Sequence, residues 1–175
     1  MIFVVGVSCA GKTHTVERLL DLEPALSRVS ASGLLRELGR PLRPLTPHEA
    51  LENQRLLARE LVARGYAGRD TVLLDGHATI ETTEGPLPVP DDWYDALAFG
   101  AILLVRAAPA DISERRIRRG LPWSQNEAMQ YQTFERIHAA EQAARLSTPF
   151  LEVGPAEVDD LPTRLMALVS RRDGG

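Results

Sequence analysis

Gly6-Val7-Ser8-Cys9-Ala10-Gly11-Lys12-Thr13 is the stretch on which the fold turns. It fills every fixed position of the pattern G-x-x-x-x-G-K-[ST] and follows at once on the apolar run Ile-Phe-Val-Val at 2–5. A short apolar run entering a glycine turn reads as a buried parallel strand. From Thr13 the period changes, and Val16, Leu19 and Leu20 cover one face of a helix that Pro24 ends. Strand, loop and helix are the context in which this motif holds phosphate. Gly6 and Gly11 let the backbone curl so that successive amides point at one anion. The helix start adds its own free amides. Lys12 is placed to bridge β- and γ-phosphates, and Thr13 to give an oxygen to Mg2+. The expected ATP contacts are therefore Gly6, Ser8, Cys9, Ala10, Gly11, Lys12, Thr13 and His14.

Downstream, residues 26–31, 71–74, 101–105 and 150–153 read as four more strands. Helical patterns fill the intervals: a short segment from 32 or 33 to 38, a longer one from the cap signal Thr46-Pro47-x-Glu49 to Gly65, and a mostly helical stretch over 111–146. Residues 85–90 read as a glycine- and proline-rich connection, 161–169 as a closing helix and 171–175 as a frayed end. Five strands separated by helices predict an α/β fold of three layers with a five-stranded parallel sheet, the architecture of P-loop NTPases. Its ligands gather beyond the carboxyl ends of the strands. The 175 residues fit one domain, with an acceptor-binding segment over 32–65 and a short lid near 115–127.

Composition narrows the partners. The formal charge of -4 and 5% aromatics give no global pull toward nucleic acid or membrane. Of the 20 Lys and Arg residues only Lys12 is lysine, so the guanine-reading Asn-Lys-x-Asp motif is absent. The lone cysteine, Cys9, excludes an intrachain disulfide, and the N-terminal stretch lacks the basic leader of a signal peptide. A cytoplasmic protein is expected, with a small-molecule acceptor and neither nucleic-acid nor membrane partner.

Asp75, at the end of the strand 71–74, stands where a P-loop protein places a magnesium-associated carboxylate; it could also orient an acceptor oxygen, or cap a turn. His77, two residues on, could touch the acceptor or order the loop. Phosphate chemistry also needs more cations than one lysine supplies, which directs attention to arginines. Arg36, in Ser32-Gly33-Leu34-Leu35-Arg36, could fork onto an acceptor, with Ser32 beside it. Asn53 and Gln54 could read a polar edge, although surface exposure is the plainer expectation for each. In the cluster Arg115, Arg116, Arg118 and Arg119, three members share neighbouring helical directions and 116 projects elsewhere. Such a cluster could cover the transferred group or stack on adenine, with Arg115 on the ATP side. Arg136 could approach from the next helix.

These residues carry a resemblance to the P-loop nucleoside monophosphate kinases, most closely the archaeal-type adenylate kinases. It rests on residues 2–13 and on Leu73-Leu74-Asp75-Gly76-His77-Ala78-Thr79-Ile80 followed by Thr82, Gly85, Leu87-Pro88 and Pro90. The resemblance implies transfer from MgATP to a nucleoside monophosphate, with AMP the first candidate, Arg36 near the acceptor phosphate, and Arg119 and Arg136 near the lid. Lys12, Asp75, Arg119 and Arg136 would then be the catalytic residues, Thr13 and Asp75 the Mg2+ ligands, and Ser32, Arg36, Asn53, Gln54 and His77 the acceptor contacts. A kinase for a small hydroxyl metabolite, which would use Asp75 as proton acceptor, and a nucleotide-controlled binding or switch module are the other readings.

Overall fold

The computed structural model describes residues 1–154 and 157–169; the expected frayed end at 171–175 lies outside the described residues. In chain order the elements are β1 (Ile2–Val5), α1 (Lys12–Leu22), β2 (Ser27–Ser30), α2 (Ala31–Glu37), α3 (Pro47–Ala63), β3 (Val72–Asp75), β4 (Thr79–Thr82), β5 (Gly85–Pro88), α4 (Asp91–Leu97), β6 (Ala101–Val105), α5 (Pro109–Arg118), α6 (Gln125–Arg145), β7 (Phe150–Val153) and α7 (Leu161–Val169). Five strands form one parallel sheet in the order β2-β3-β1-β6-β7. The phosphate loop leaves its central strand.

The central strands β3, β1 and β6 are apolar on both sides because both faces are covered, whereas β2, Ser-Arg-Val-Ser at the sheet edge, is polar and partly exposed. Phe3 and Val5 of β1, with Leu74, Ile102 and Leu104, join a core closed by α2, α3, α4 and α6. Ile2 and Val4, with Leu73, Leu103 and Val153, face Val16 and Leu19 of α1 and Leu161 and Leu165 of α7. Alternation along each strand thus divides one continuous run between two cores, which makes the three layers. Four aromatic rings, Phe3, Trp93, Tyr94 and Phe99, pack together in the first core with centroids 4.8 to 5.8 Å apart.

One local expectation is corrected. Residues 85–90 are not a plain connection: Gly85–Pro88 pairs antiparallel with Thr79–Thr82 in a separate hairpin. Both prolines of β5 fit because a two-stranded ribbon leaves an edge on which a missing N–H costs nothing. The stretch 111–146 is mostly helical, as expected: α5 and α6 are separated at Arg119–Ser124, where Ser124 and Glu127 form a capping box that starts α6. A similar box, Thr46 with Glu49 and Pro47 at the first position, starts α3 as expected.

Candidate active site

β1 ends at Val5 and the chain turns at Gly6, with φ of 147°. A Cβ there would lie 2.5 Å from the carbonyl oxygen of Val105 on β6, so only glycine fits between the strands. Inside the loop the Ala10 amide donates to Val7 O at 3.1 Å. The amides of Ser8, Cys9, Gly11, Lys12 and Thr13 donate to no group among the described residues. Cys9 holds a left-handed backbone at φ of 72°, unusual for a residue with a Cβ. Such a ring of unspent donors at a helix start fits a polyphosphate.

Lys12 is buried, and its ammonium donates to Gly6 O at 2.5 Å and Val7 O at 3.3 Å. Burial lowers its pKa, and the charges of Asp75 and Glu135 act against that shift. Thr13 and His14 are exposed on the first turn of α1. Arg115 reaches across from α5 to donate to Cys9 O at 3.1 Å, so it lies on the loop.

On the other side of the loop opens a cavity of about 500 Å3. Its apolar walls include Phe3, Leu35, Leu57, Ile80, Trp93 and Trp123, and its polar lining includes Ser8, Ser32, Arg36, Gln54, Asp75, His77 and Arg119. Arg36 and Arg119 are exposed at its rim and make no ion pair among the described residues. Gln54 is buried, against the expectation of surface exposure, and faces the cavity with no hydrogen-bond partner among the described residues. Asn53 is buried too, but spent: it accepts from Arg40 Nε at 2.7 Å and donates to Pro41 O at 2.9 Å, tying down the chain before α3.

Asp75 ends β3 in register with Val4 of β1 and Ser30 of β2. Its Oδ2 accepts from Arg28 Nη2 at 2.6 Å. His77 lines the cavity two residues later, and burial, reinforced by the nearby charges of Lys12 and Arg43, holds its imidazole well below the usual 6.5 and so neutral at pH 7.

Arg136 is brought to a different place. It is exposed and donates to Glu152 of β7 at 2.8 Å, away from the cavity. The residue that enters the site from α6 is its neighbour Glu135, fully buried, which accepts hydrogen bonds from Gly6 N, Ala78 N, Thr79 N and Thr79 Oγ1 at 2.5 to 2.9 Å. Its signal in the sequence is position: Ala128, Glu135, Ala139 and Gln142 form the buried stripe of α6, so a carboxylate there must find donors inside. Arg136 falls about 100° further round. Arg116 also points inward, as its separate helical direction suggests. It is buried, bonds Glu81 with both terminal nitrogens, donates to Leu121 O at 2.8 Å and stacks at 3.5 Å on Trp123. Glu81 also binds Arg43 at 2.7 Å, so this network fastens the 119–124 segment to the β4–β5 hairpin and to the loop before α3.

A family model described as an AAA domain matches residues 5–137, which contain the loop, nearly all of the cavity lining and Glu135. The chain belongs to this AAA domain family. No curated protein matches it. Among solved structures, this AAA-family domain is similar to a shikimate kinase from Acinetobacter baumannii in complex with shikimate, with a TM-score of 0.58, 13% identity, and coverage of 98% of this chain and 93% of the other. It is similar to a gluconokinase from Sinorhizobium meliloti 1021 at 0.56 and 16%, covering 97% and 91%. A sugar kinase from Janibacter sp. HTCC2649 gives 0.55 and 17%, covering 95% and 94%. At such identities the likeness establishes the fold alone, a five-stranded parallel sheet flanked by helices, which is consistent with a P-loop NTPase architecture. The narrower likeness to adenylate kinases has no counterpart among these structures. Among the described residues no helix is long and apolar enough to cross a membrane.

Proposed function

We propose that the protein transfers the terminal phosphoryl group of ATP to a hydroxyl of a small, negatively charged metabolite. The observation that carries this reading is Asp75: a carboxylate beside the phosphate loop, held by Arg28 and lining a cavity whose rim carries the unpaired Arg36 and Arg119. A hydroxyl must lose its proton as it attacks, and Asp75 Oδ1, which Arg28 leaves free, takes it. A monophosphate acceptor, the reading drawn from the resemblance to adenylate kinases, is already ionised and has no use for such a group. The similar solved structures are described as kinases of gluconate, shikimate and sugars, which favours the hydroxyl.

The donor side follows from the loop. Its free amides and Lys12 hold the β- and γ-phosphates, and Arg115 covers them from α5. Bound Mg2+ would neutralise phosphate oxygens; Thr13 is the side chain that would hold it, with phosphate and water completing its shell, since Asp75 has one oxygen on Arg28 and the other given to the acceptor proton. Arg36 and Arg119 orient the acceptor's anion, and the apolar walls exclude water from the reacting centre.

The test is a screen of MgATP with hydroxy acids, sugars, other small alcohols and nucleoside monophosphates, detecting the phosphorylated product directly, with Lys12→Ala as control. Product from a hydroxyl acceptor that disappears in K12A supports the reading. Product from monophosphates alone overturns it in favour of the adenylate-type acceptor. Tight ATP binding without product in either class points to a nucleotide-controlled module.

A further inference from the structure

Glu135 is a fully buried carboxylate placed where two segments of the site meet. Its Oε1 accepts from Gly6 N and from Ala78 N, each at 2.9 Å. Its Oε2 accepts from Thr79 N at 2.7 Å and Thr79 Oγ1 at 2.5 Å. Gly6 opens the phosphate loop; Ala78 and Thr79 close the segment Asp75-Gly76-His77 that carries the proposed proton acceptor. One oxygen therefore spans both segments, and four donors use the acceptor capacity that a buried carboxylate must fill. The two segments share further ties, Gly76 N to Val4 O at 3.0 Å at the strand ends and a hydrogen bond of the His77 ring to the Gly6 backbone, but only Glu135 gathers amides of both on one side chain.

From this geometry we infer that Glu135 is a positioning residue: it fixes the distance and direction between the phosphate loop and the Asp75-bearing segment, and so aligns the acceptor hydroxyl with the phosphoryl group. The inference rests on the reading of the site given above. It accounts for a charge on the buried stripe of α6, where an apolar residue would pack at lower cost. α6 also begins at the 119–124 segment, and Trp123 stacks on Tyr131 of α6 at 4.2 Å, so the same helix connects the covering segment to both ends of the site. Glu135 also faces Lys12 and lies 3.9 Å from His77 Nδ1, and its charge acts with that of Asp75 to favour the protonated form of Lys12.

The experiment compares wild type with Glu135→Gln, Glu135→Asp and Thr79→Val. Glutamine keeps the reach but puts an NH2 group against one pair of donors; aspartate keeps the charge but shortens the reach by one methylene; valine removes only the hydroxyl donor. Misalignment at a reacting centre costs on the order of 100-fold in rate. We expect E135Q and E135D each to lower kcat by about that factor, with the KM for ATP changing less than about 3-fold, and T79V to lower kcat by a smaller factor in the same direction. All kinetics are taken below the melting transition of each variant. Unchanged kcat in folded E135Q, recovery in E135D, or a loss confined to ATP affinity overturns the proposal.

A second readout needs no acceptor. In wild type, ATP should shift the amide resonances of Gly6, Ala78 and Thr79 together. In E135Q the responses at 78 and 79 should fall away while Gly6 still responds; in T79V, which keeps both amide bonds to Glu135, they should weaken only in part. Amides at 78 and 79 that ignore ATP in wild type overturn the coupling. Intact coupling with no phosphorylated hydroxyl compound would instead count against the proposed reaction alone.

Discussion

Arg28 of β2 donates to Oδ2 of Asp75 of β3 at 2.6 Å, across strands whose register sets Ser30 beside Asp75. The pair fixes the carboxylate's rotamer and occupies one of its oxygens. Asp75→Asn keeps the shape and removes the proton acceptor, so kcat for a hydroxyl substrate should fall by roughly 100- to 10,000-fold with little change in nucleotide affinity. Arg28→Met frees the carboxylate to turn, and a loss of about 10-fold is expected from the misorientation. Steady-state kinetics beside nucleotide titration checks both. A D75N protein of full activity would remove Asp75 from the chemistry.

The two sides of the site were unequally legible in the sequence. The donor side is local: eight consecutive residues build the loop, and backbone geometry alone dictates its glycines, as the 2.5 Å approach of Val105 O to a Cβ at Gly6 shows. The central strands were as legible, because β1, β3 and β6 are short apolar runs between helical patterns, whereas the edge strand β2, Ser-Arg-Val-Ser, carries a single large apolar residue and a weaker signal. The hairpin was not, since two prolines in four residues argue against a strand unless both of its edges are known. The acceptor side is assembled from residues far apart in the chain. Arg28 finds Asp75 across 47 positions and Glu135 finds Gly6 across 129, pairings that no local pattern announces. Arg136 illustrates the gap, because one step along α6 separates the surface from the interior.

His77 should make stability fall on acidification. Its folded pKa lies well below the usual 6.5, so below that value the unfolded chain takes up a proton that the folded chain refuses. Stability is then lost as pH drops from about 7 through the usual imidazole range toward the folded value, and is fully present above it. Urea midpoints measured between pH 7.5 and 5 should decline in wild type more steeply than in His77→Gln. Equal slopes would mean that the imidazole titrates normally.

The arginines divide by place. Arg36 and Arg119 make no ion pair among the described residues and line the cavity, whereas Arg136 is spent on Glu152 at the surface. A hydrogen bond to a charged group contributes about 1.5–3 kcal/mol, so Arg36→Ala and Arg119→Ala should each raise the acceptor KM by roughly 10- to 100-fold. Arg136→Ala should leave kinetics unchanged and cost under about 1 kcal/mol in stability, as exposed ion pairs do. Loss of turnover in R136A would require α6 to present that side chain to the site in the working enzyme.

Tyr94 offers a test of the core. Its ring is fully buried and packs on Phe3, Trp93, Phe99 and His138, but its hydroxyl has no hydrogen-bond partner among the described residues. Burial also pushes the phenol pKa well above 10.0, so the group stays neutral and still carries an unmet donor. Tyr94→Phe keeps every ring contact and removes that donor. Since an unsatisfied buried polar group costs about 1–3 kcal/mol, the variant should be at least as stable as wild type and gain up to about 1 kcal/mol after the small loss of packing. For a chain of this length that is a rise of about 2–4 °C in Tm by calorimetry. A fall of comparable size would show that the hydroxyl is satisfied in solution by a trapped water, whose removal the phenylalanine forces.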